Sequence, residues 1–274
     1  MVFAFPSIMV KYIDFLSVRN MNNSIKKQKR LIVEVSYLAR QGHLSSSMSI
    51  VEMLNVLFKK IMRFDPQNPD SITNDKLVLS KGHASLALYS ILFDMGCLSK
   101  EELFSFSKFD SILGEHPDRN KVPGVDVSTG SLGHGFPTSI GIAAGFKAQG
   151  KPNRVYSIIG DGEANEGSIW EAAFVADKLH LDNVVCIVDD NNSASHMNNI
   201  GGKFKAFGWA VEEVNGNNIT ELEKALNKRP GRPYLIWAHT IKGYGASLME
   251  KDPEGWHHRV INEAEYKSIM EELA

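Results

Sequence analysis

Gly160-Asp161-Gly162-Glu163-Ala164-Asn165-Glu166-Gly167 follows the apolar, β-branched run Val155–Ile159 and precedes a stretch of helical spacing from about Gly167 to Leu179. Glycines at the carboxyl end of a strand let the backbone approach a ligand, and the helix beyond turns its N-terminal amides and positive dipole toward an anion. That is chemistry for a phosphate. Thirty residues after Asp161, a second β-branched run, Val184–Val188, ends in Asp189-Asp190-Asn191-Asn192. If the two runs are neighbouring strands of one parallel sheet, Asp161 and Asn191 stand side by side at its edge. One carboxylate, one side-chain amide, the Ser193 backbone carbonyl and phosphate oxygens suit a hard octahedral cation, so the pattern points to a magnesium diphosphate. Gly-Asp-Gly alone is a common turn former; the strand, the helix and the distant Asn give it its weight.

The elements that must position these groups alternate along the chain. After Val184–Val188 come an apolar run at Trp209–Val214, a helical stretch near Ile219–Leu226 and a further run at Tyr234–His239. Strand, helix, strand in this rhythm predicts βαβ units with parallel strands and right-handed crossovers. The fold class is α/β: a doubly wound parallel sheet with helices on both faces. Upstream, apolar residues at helical spacing predict packing helices over Ser24–Arg40 and Ser49–Met62. Between them Gly42-His43-Leu44-Ser45-Ser46-Ser47 reads as a small-residue loop that leaves a histidine at a helix entrance.

With 274 residues, of which 43% are apolar, the chain can build one sizeable core. Thirty Lys and Arg against 32 Asp and Glu give a net charge of -2, which argues against a nucleic-acid footprint. Two cysteines, Cys97 and Cys186, cannot build a disulfide scaffold and fit a reducing, cytoplasmic setting. The apolar run Met1–Val10 is too short to span a bilayer. Residues 1–21 read as an N-terminal extension without fixed order, and 22–274 as one domain.

The match to a known family extends well beyond the Gly-Asp-Gly and Asp-Asp-Asn motifs. Ser80-Lys81-Gly82-His83-Ala84, Glu115-His116-Pro117-Asp118, Ser128-Thr129-Gly130-Ser131-Leu132-Gly133, Ala206-Phe207-Gly208-Trp209 and Ile241-Lys242-Gly243-Tyr244-Gly245 stand in the order found in transketolases. The chain resembles the separately encoded N-terminal half of a split transketolase over about Ile25 to Tyr266. The resemblance implies a thiamin diphosphate-binding fold and transfer of a two-carbon ketol unit between a ketose and an aldose. It implies thiamin diphosphate as cofactor together with Mg²⁺, or with Ca²⁺ in place of Mg²⁺. Asp161 and Asn191 would be metal ligands with the Ser193 carbonyl, and Gly162, Glu163 and His83 would contact the cofactor. Gly130, Ser131 and Leu132 would meet the aminopyrimidine. His43 and His257 would handle substrate protons, with His257 also at the cofactor, and His116 would meet a hydroxyl of the two-carbon unit. Glu166 would communicate across a subunit interface. The glutamate that protonates the cofactor ring lies, in this family, on a domain this chain lacks. A separate C-terminal subunit with the pyrimidine-binding domain is therefore expected, in a dimer or heterotetramer, acting on phosphorylated sugars without nucleic acid or membrane.

Some positions depart from the family. The segment Asn192-Ser193-Ala194-Ser195-His196-Met197-Asn198-Asn199-Ile200-Gly201-Gly202 replaces a longer loop that usually opens with Gln-Ile-Asp-Gly. His134 stands where Gln is usual, and His258 where Gly usually follows the Trp-His pair. These changes turn the expectation from the ordinary pentose phosphates toward a specialised ketose. Two other readings stay open: another thiamin diphosphate enzyme acting on a specialised sugar or a 2-oxo acid, and a binding subunit without turnover.

Overall fold

The computed structural model describes residues 5–41, 43–192 and 197–274, with side chains from Arg19 onward. Helix α1 (Phe5–Ala39) leads into α2 (Leu44–Met48) and α3 (Val51–Val56), which closes in a π turn, Leu57–Ile61. Strand β1 (Lys76–Leu79) is followed by α4 (Ser85–Asp94), α5 (Lys100–Leu103) and α6 (Gly135–Ala148). Then come β2 (Val155–Gly160), α7 (Gly167–Lys178), β3 (Val184–Asp190), α8 (Ile200–Ala206), β4 (Ala210–Asn215), α9 (Ile219–Leu226) and β5 (Tyr234–His239). The chain ends in α10 (Ser247–Glu250) and α11 (Glu263–Glu272). Among the described residues, no helix is long and apolar enough to cross a membrane.

The five strands form one sheet in the order β1-β2-β3-β5-β4, with every neighbouring pair parallel. Alternate strand residues bury themselves on opposite faces, as the pleat requires. Tyr156 and Ile158 of β2 and Val185 and Ile187 of β3 pack with α1, α3, α4 and α9. Val155, Ile159, Val184, Cys186 and Val188 pack with α6, α7 and α8. Right-handed crossovers account for this division. The connections from β1 to β4 all move in one direction across the sheet and lay α6, α7 and α8 on one face. The return from β4 to β5 reverses direction and lays α9 on the other.

The same rule locates a crevice. Past β1 the chain turns into α4 on one face, and past β2 it turns into α7 on the opposite face. Adjacent strands whose exits diverge leave an opening at their carboxyl ends, where ligands of open α/β sheets bind. Register then sets the partners: Gly160 of β2 pairs with Asp189 of β3, so Asp161 and Asp189 to Asn191 emerge side by side.

Two expectations need correction. Leu44–Ser47 is not loop but the body of α2, with His43 as its N-cap in left-handed backbone at φ 60°. Helix α1 also takes in residues assigned to the N-terminal extension, since it runs from Phe5 through Met21. The helix expected over Ser49–Met62 starts two residues later, because Ser49–Ile50 is a turn, and it ends in the π turn Leu57–Ile61. Strand β1, too short for its period to stand out, had no counterpart in the sequence reading.

The sheet's centre should dominate stability. Ile187 is fully buried in β3, so Ile187→Ala should lower the unfolding free energy by about 2–5 kcal/mol and Ile187→Val by about 0.5–1.5 kcal/mol. Phe109 is 95% exposed, and Phe109→Ala should stay within about 0.5 kcal/mol of wild type. Urea unfolding followed by circular dichroism measures all three.

Candidate active site

Asp161 leaves β2 as the cap of a short turn, Gly162–Asn165, and its Oδ1 accepts from the Gly162 amide at 2.8 Å. Its other oxygen, Oδ2, is buried and has no hydrogen-bond partner. Burial raises the carboxyl pKa, the Gly162 amide opposes that rise, and the neighbouring Asp189 adds to it. Asp189 is itself wholly buried. It is held by an ion pair with the buried Lys81 and by the Thr240 hydroxyl. Asn191 Nδ2 also donates to Asp189 Oδ2, at 3.2 Å. Lys81 thus comes from beyond β1, Asp161 from β2, Asp189 and Asn191 from β3 and Thr240 from β5, all at one edge of the sheet.

Glu163 stands beneath the loop before α6. Its Oε1 accepts from the Ser80 hydroxyl and from the Gly133 amide at 2.9 Å, and its Oε2 from the Gly160 amide at 3.3 Å. Both oxygens are therefore engaged within the protein, and Glu163 acts here as a pin between β1, β2 and the Gly130–Gly133 segment. Thr129 Oγ1 donates to the Leu79 carbonyl at 2.7 Å and ties the start of that segment to β1. Two glycines are needed for this approach. A Cβ on Gly82 would lie 2.7 Å from Thr129 Oγ1. Gly133 has φ +78° and would push a Cβ to 2.7 Å from that of Glu166. Ser131 and Glu166 are exposed and Leu132 is half-buried, so this loop faces outward beside the crevice.

Histidines gather on the other side. The ring of His43 lies 5.2 Å from that of His83, 5.5 Å from His257 and 4.5 Å from His258. His83 and His257 are 5.8 Å apart. Burial first, then His258, His257, His116 and Lys242, pushes the His43 pKa down to about 4. Burial and then Lys81 push His83 down to about 2. His257 is lowered by burial and then by Lys242, whose Nζ stands 3.0 Å from His257 Nδ1. An ammonium donates there, so Nδ1 accepts and the ring proton belongs on Nε2. His116 is exposed, but its ring lies against Gly130, where a Cβ would come within 3.4 Å. His134 is set apart: it is exposed, with Nδ1 3.0 Å from the Leu132 carbonyl.

Lys242 joins the two halves. It is buried; desolvation first and then Lys81 lower its pKa, while Asp161 and Asp189 raise it. The arrangement can hold an anion against two lysines, seat a hard cation at Asp161, and present neutral imidazoles, each able to donate one hydrogen bond and accept another. An orphaned buried carboxylate oxygen, with a side-chain amide on the next strand, fits a cation that takes its remaining ligands from phosphate and water. No three His, Cys, Asp or Glu converge to hold a metal unaided among the described residues.

The crevice therefore unites Asp161, Gly162, Asn191, His43, His83 and His257, with Gly130, Ser131, Leu132 and His116 along its rim. Glu166 stands outside the ion-pair cluster, next to Gly133. Ser193 lies outside the described residues. Sequence reading assigned no role to Lys81, Asp189, Thr240 or Lys242. Lys81 and Lys242 lay inside quoted motifs, but a lone lysine carries no sign that it will be buried. Asp189 beside Asp190 was legible, because a β-branched run that ends in two acids puts one of them in the core.

The family model described as "Transketolase, thiamine diphosphate binding domain" matches residues 20–274. An apulose-4-phosphate transketolase subunit of Phocaeicola vulgatus is 34% identical over 270 residues, covering 94% of this chain and 95% of its own. A 6-deoxy-6-sulfo-D-fructose transketolase subunit of a Clostridium species is 37% identical over 243 residues, covering 85% and 88%. Human transketolase is 38% identical over 250 residues, which are 88% of this chain but 40% of that one. Among solved structures, Campylobacter jejuni transketolase superposes with a TM-score of 0.86 at 31% identity, over 93% of this chain and 43% of that one. The chain thus spans nearly all of the subunit relatives and less than half of the full-length ones.

The imidazoles generate a pH prediction. A histidine whose folded pKa is depressed binds its proton more readily when unfolded, so it costs stability as pH falls below the unfolded value of about 6.5. For His43 that loss should continue down to about pH 4. Histidine NMR titration should place the His43 midpoint near 4, and chemical denaturation should show stability decreasing from pH 6.5 toward 4. A His43 midpoint near 6.5 would contradict the packing described.

Proposed function

The chain belongs to the transketolase thiamine diphosphate-binding domain family, and from that premise we propose that it is the diphosphate-side subunit of a two-subunit transketolase. The reaction is transfer of a two-carbon ketol unit from a ketose to an aldose, with thiamin diphosphate and Mg²⁺. A separate subunit supplies the pyrimidine-binding domain, in a dimer or heterotetramer. The observation that carries this reading is the buried, unpartnered Asp161 Oδ2, at the same strand edge as Asn191 and within the electrostatic reach of Lys81 and Lys242.

Bound thiamin diphosphate would supply an acidic carbon able to accept the ketol fragment. Asp161 and Asn191 would hold the cation. Lys242, His83 and Gly162 would face the diphosphate. Gly130, Ser131 and Leu132 contact the aminopyrimidine, and Glu163 serves them by pinning Gly133. His43 and His257, neutral at pH 7, orient the reacting end of the ketose. The Nε2 proton of His257, fixed there by Lys242, donates to oxygen on which negative charge develops. His43 exchanges the proton of the hydroxyl whose C–C bond breaks, and His116 binds a hydroxyl of the two-carbon unit. Glu166 couples to the neighbouring subunit.

Two subunit relatives are named for ketoses that end in a phosphate and in a sulfonate. We take from them a ketose with an anionic terminal group. Cys97 and Cys186 are both free thiols, in keeping with a cytoplasmic setting.

Calorimetry tests the cofactor site. The chain should bind thiamin diphosphate only with Mg²⁺, and Asp161→Ala and Asn191→Ala should each weaken that binding by about 10²-fold or more, since each removes an oxygen facing the cation. Unchanged affinity in either variant would reject the metal assignment. Ketol transfer should appear only when the partner subunit is added, and turnover by this chain alone would overturn the two-subunit reading.

A further inference from the structure

We propose that the buried Lys29–Glu52 ion pair positions the site: it fixes the Ile241–Gly245 turn so that Lys242 meets His257. The proposal rests on the reading of Lys242 and His257 as parts of the cofactor and substrate site. Lys29 belongs to α1 and Glu52 to α3, and neither reaches the crevice. Their side chains are each 4% exposed, and Lys29 Nζ lies 2.7 Å from Glu52 Oε1.

Lys29 has a second task. The same Nζ donates to the Tyr244 carbonyl at 2.7 Å and stands 4.4 Å from the centre of the Tyr244 ring. The turn is held at its other points as well. The Ile241 amide donates to Asn217 Oδ1 at 2.9 Å, the Gly243 amide to the Ser45 carbonyl at 3.1 Å, and the Gly245 amide to Glu250 Oε1 at 2.7 Å. Lys242 sits between these anchors with Nζ 3.0 Å from His257 Nδ1. Ser45 also donates its hydroxyl to the Trp256 carbonyl at 2.8 Å, next to His257. Lys29 is thus the anchor through which α1 and α3 act on the turn.

A pair that served stability alone would be built differently. Two charges removed from water recover that cost only when their remaining hydrogen-bonding capacity is met, and apolar replacements of similar volume are often neutral or stabilising. Glu52 Oε2 is buried without a hydrogen-bond partner. The geometry favours position over stability: a rigid, directional donor aimed at one backbone carbonyl of a site-bearing turn.

The test uses the full chain with Lys29→Met, Glu52→Gln and the double variant Lys29→Met/Glu52→Leu. Three quantities are read: the urea midpoint, the NMR titration midpoint of His257, and the Kd for thiamin diphosphate with Mg²⁺. His257 faces Lys242, Lys81, His258, His43 and His83, and loss of the Lys242 contact should move its midpoint up toward the ordinary imidazole value. Lys29→Met should lower the urea midpoint, and the double variant should recover it. Both should still show the raised His257 midpoint and a Kd about tenfold weaker. Glu52→Gln keeps an oxygen for Lys29 and should leave His257 as in wild type. If the double variant regains the wild-type His257 midpoint together with its stability, the pair is core structure only and the proposal fails. Should the double variant not fold, the contrast between Lys29→Met and Glu52→Gln decides, and equal His257 midpoints in the two overturn the proposal. Absence of cofactor binding by the wild type would refute the functional reading instead, while the His257 midpoints still decide the positioning role.

Discussion

Two carboxylates, Asp161 and Asp189, emerge at adjacent strand ends of one parallel sheet, and burying both there requires compensation. Asp189 receives it within the protein, from Lys81, Thr240 and Asn191. Asp161 receives only part, from the Gly162 amide, and keeps one buried oxygen without a partner. Much of the surrounding structure follows from this asymmetry. Asp189 fastens β1, β3 and the end of β5 together at the crevice floor; Asp161 is left able to ligate a cation. A sheet that satisfied both acids internally would leave no buried carboxylate oxygen open at this edge.

The histidines solve a related problem by a different route. Grouped behind α2 and the Trp256 segment, they are packed near two lysines, and burial with neighbouring positive charge holds His43 and His83 far below the usual imidazole range. Neutral rings can approach one another and a lysine without the repulsion that charged rings would add. A neutral ring can donate to one oxygen and accept from another. His43 holds its place through left-handed backbone at φ 60°. Strain of that kind, about 1–3 kcal/mol, persists when surrounding packing over-determines it. Here α2 supplies that packing, with Leu44 to Met48 all buried.

Glu163 shows how one residue type at one spacing can be misjudged. Next to Asp161 and Gly162 it looks like a third group facing a cofactor, but both oxygens are spent on Ser80, Gly133 and Gly160. It pins the Gly130–Gly133 segment to the ends of β1 and β2. Lys242 is the converse: an unassigned lysine in a glycine-flanked turn, which the fold buries and aims at His257. Both outcomes turn on the direction of one side chain, which spacing along the chain does not encode.

The sequence by itself determined the class of fold and the strand edge at which Asp161 and Asn191 meet. Continuous apolar, β-branched runs at Val155–Ile159 and Val184–Val188 with a helical stretch between them point to a parallel sheet covered on both faces, and its register brings Asp161 and Asn191 to one edge. The family motifs added the histidines. Tertiary structure decided what depends on long-range contact: that β1 exists as four residues paired to β2, that α1 continues through Met21, that His258 lies against His43, and that Lys29 reaches the Tyr244 carbonyl. The physical reason is the range of each signal. Hydrophobic period and turn chemistry act between residues a few positions apart and are written in order along the chain. Burial of a charge and the partner that satisfies it are set by segments far apart in the chain, and only the assembled core brings them together.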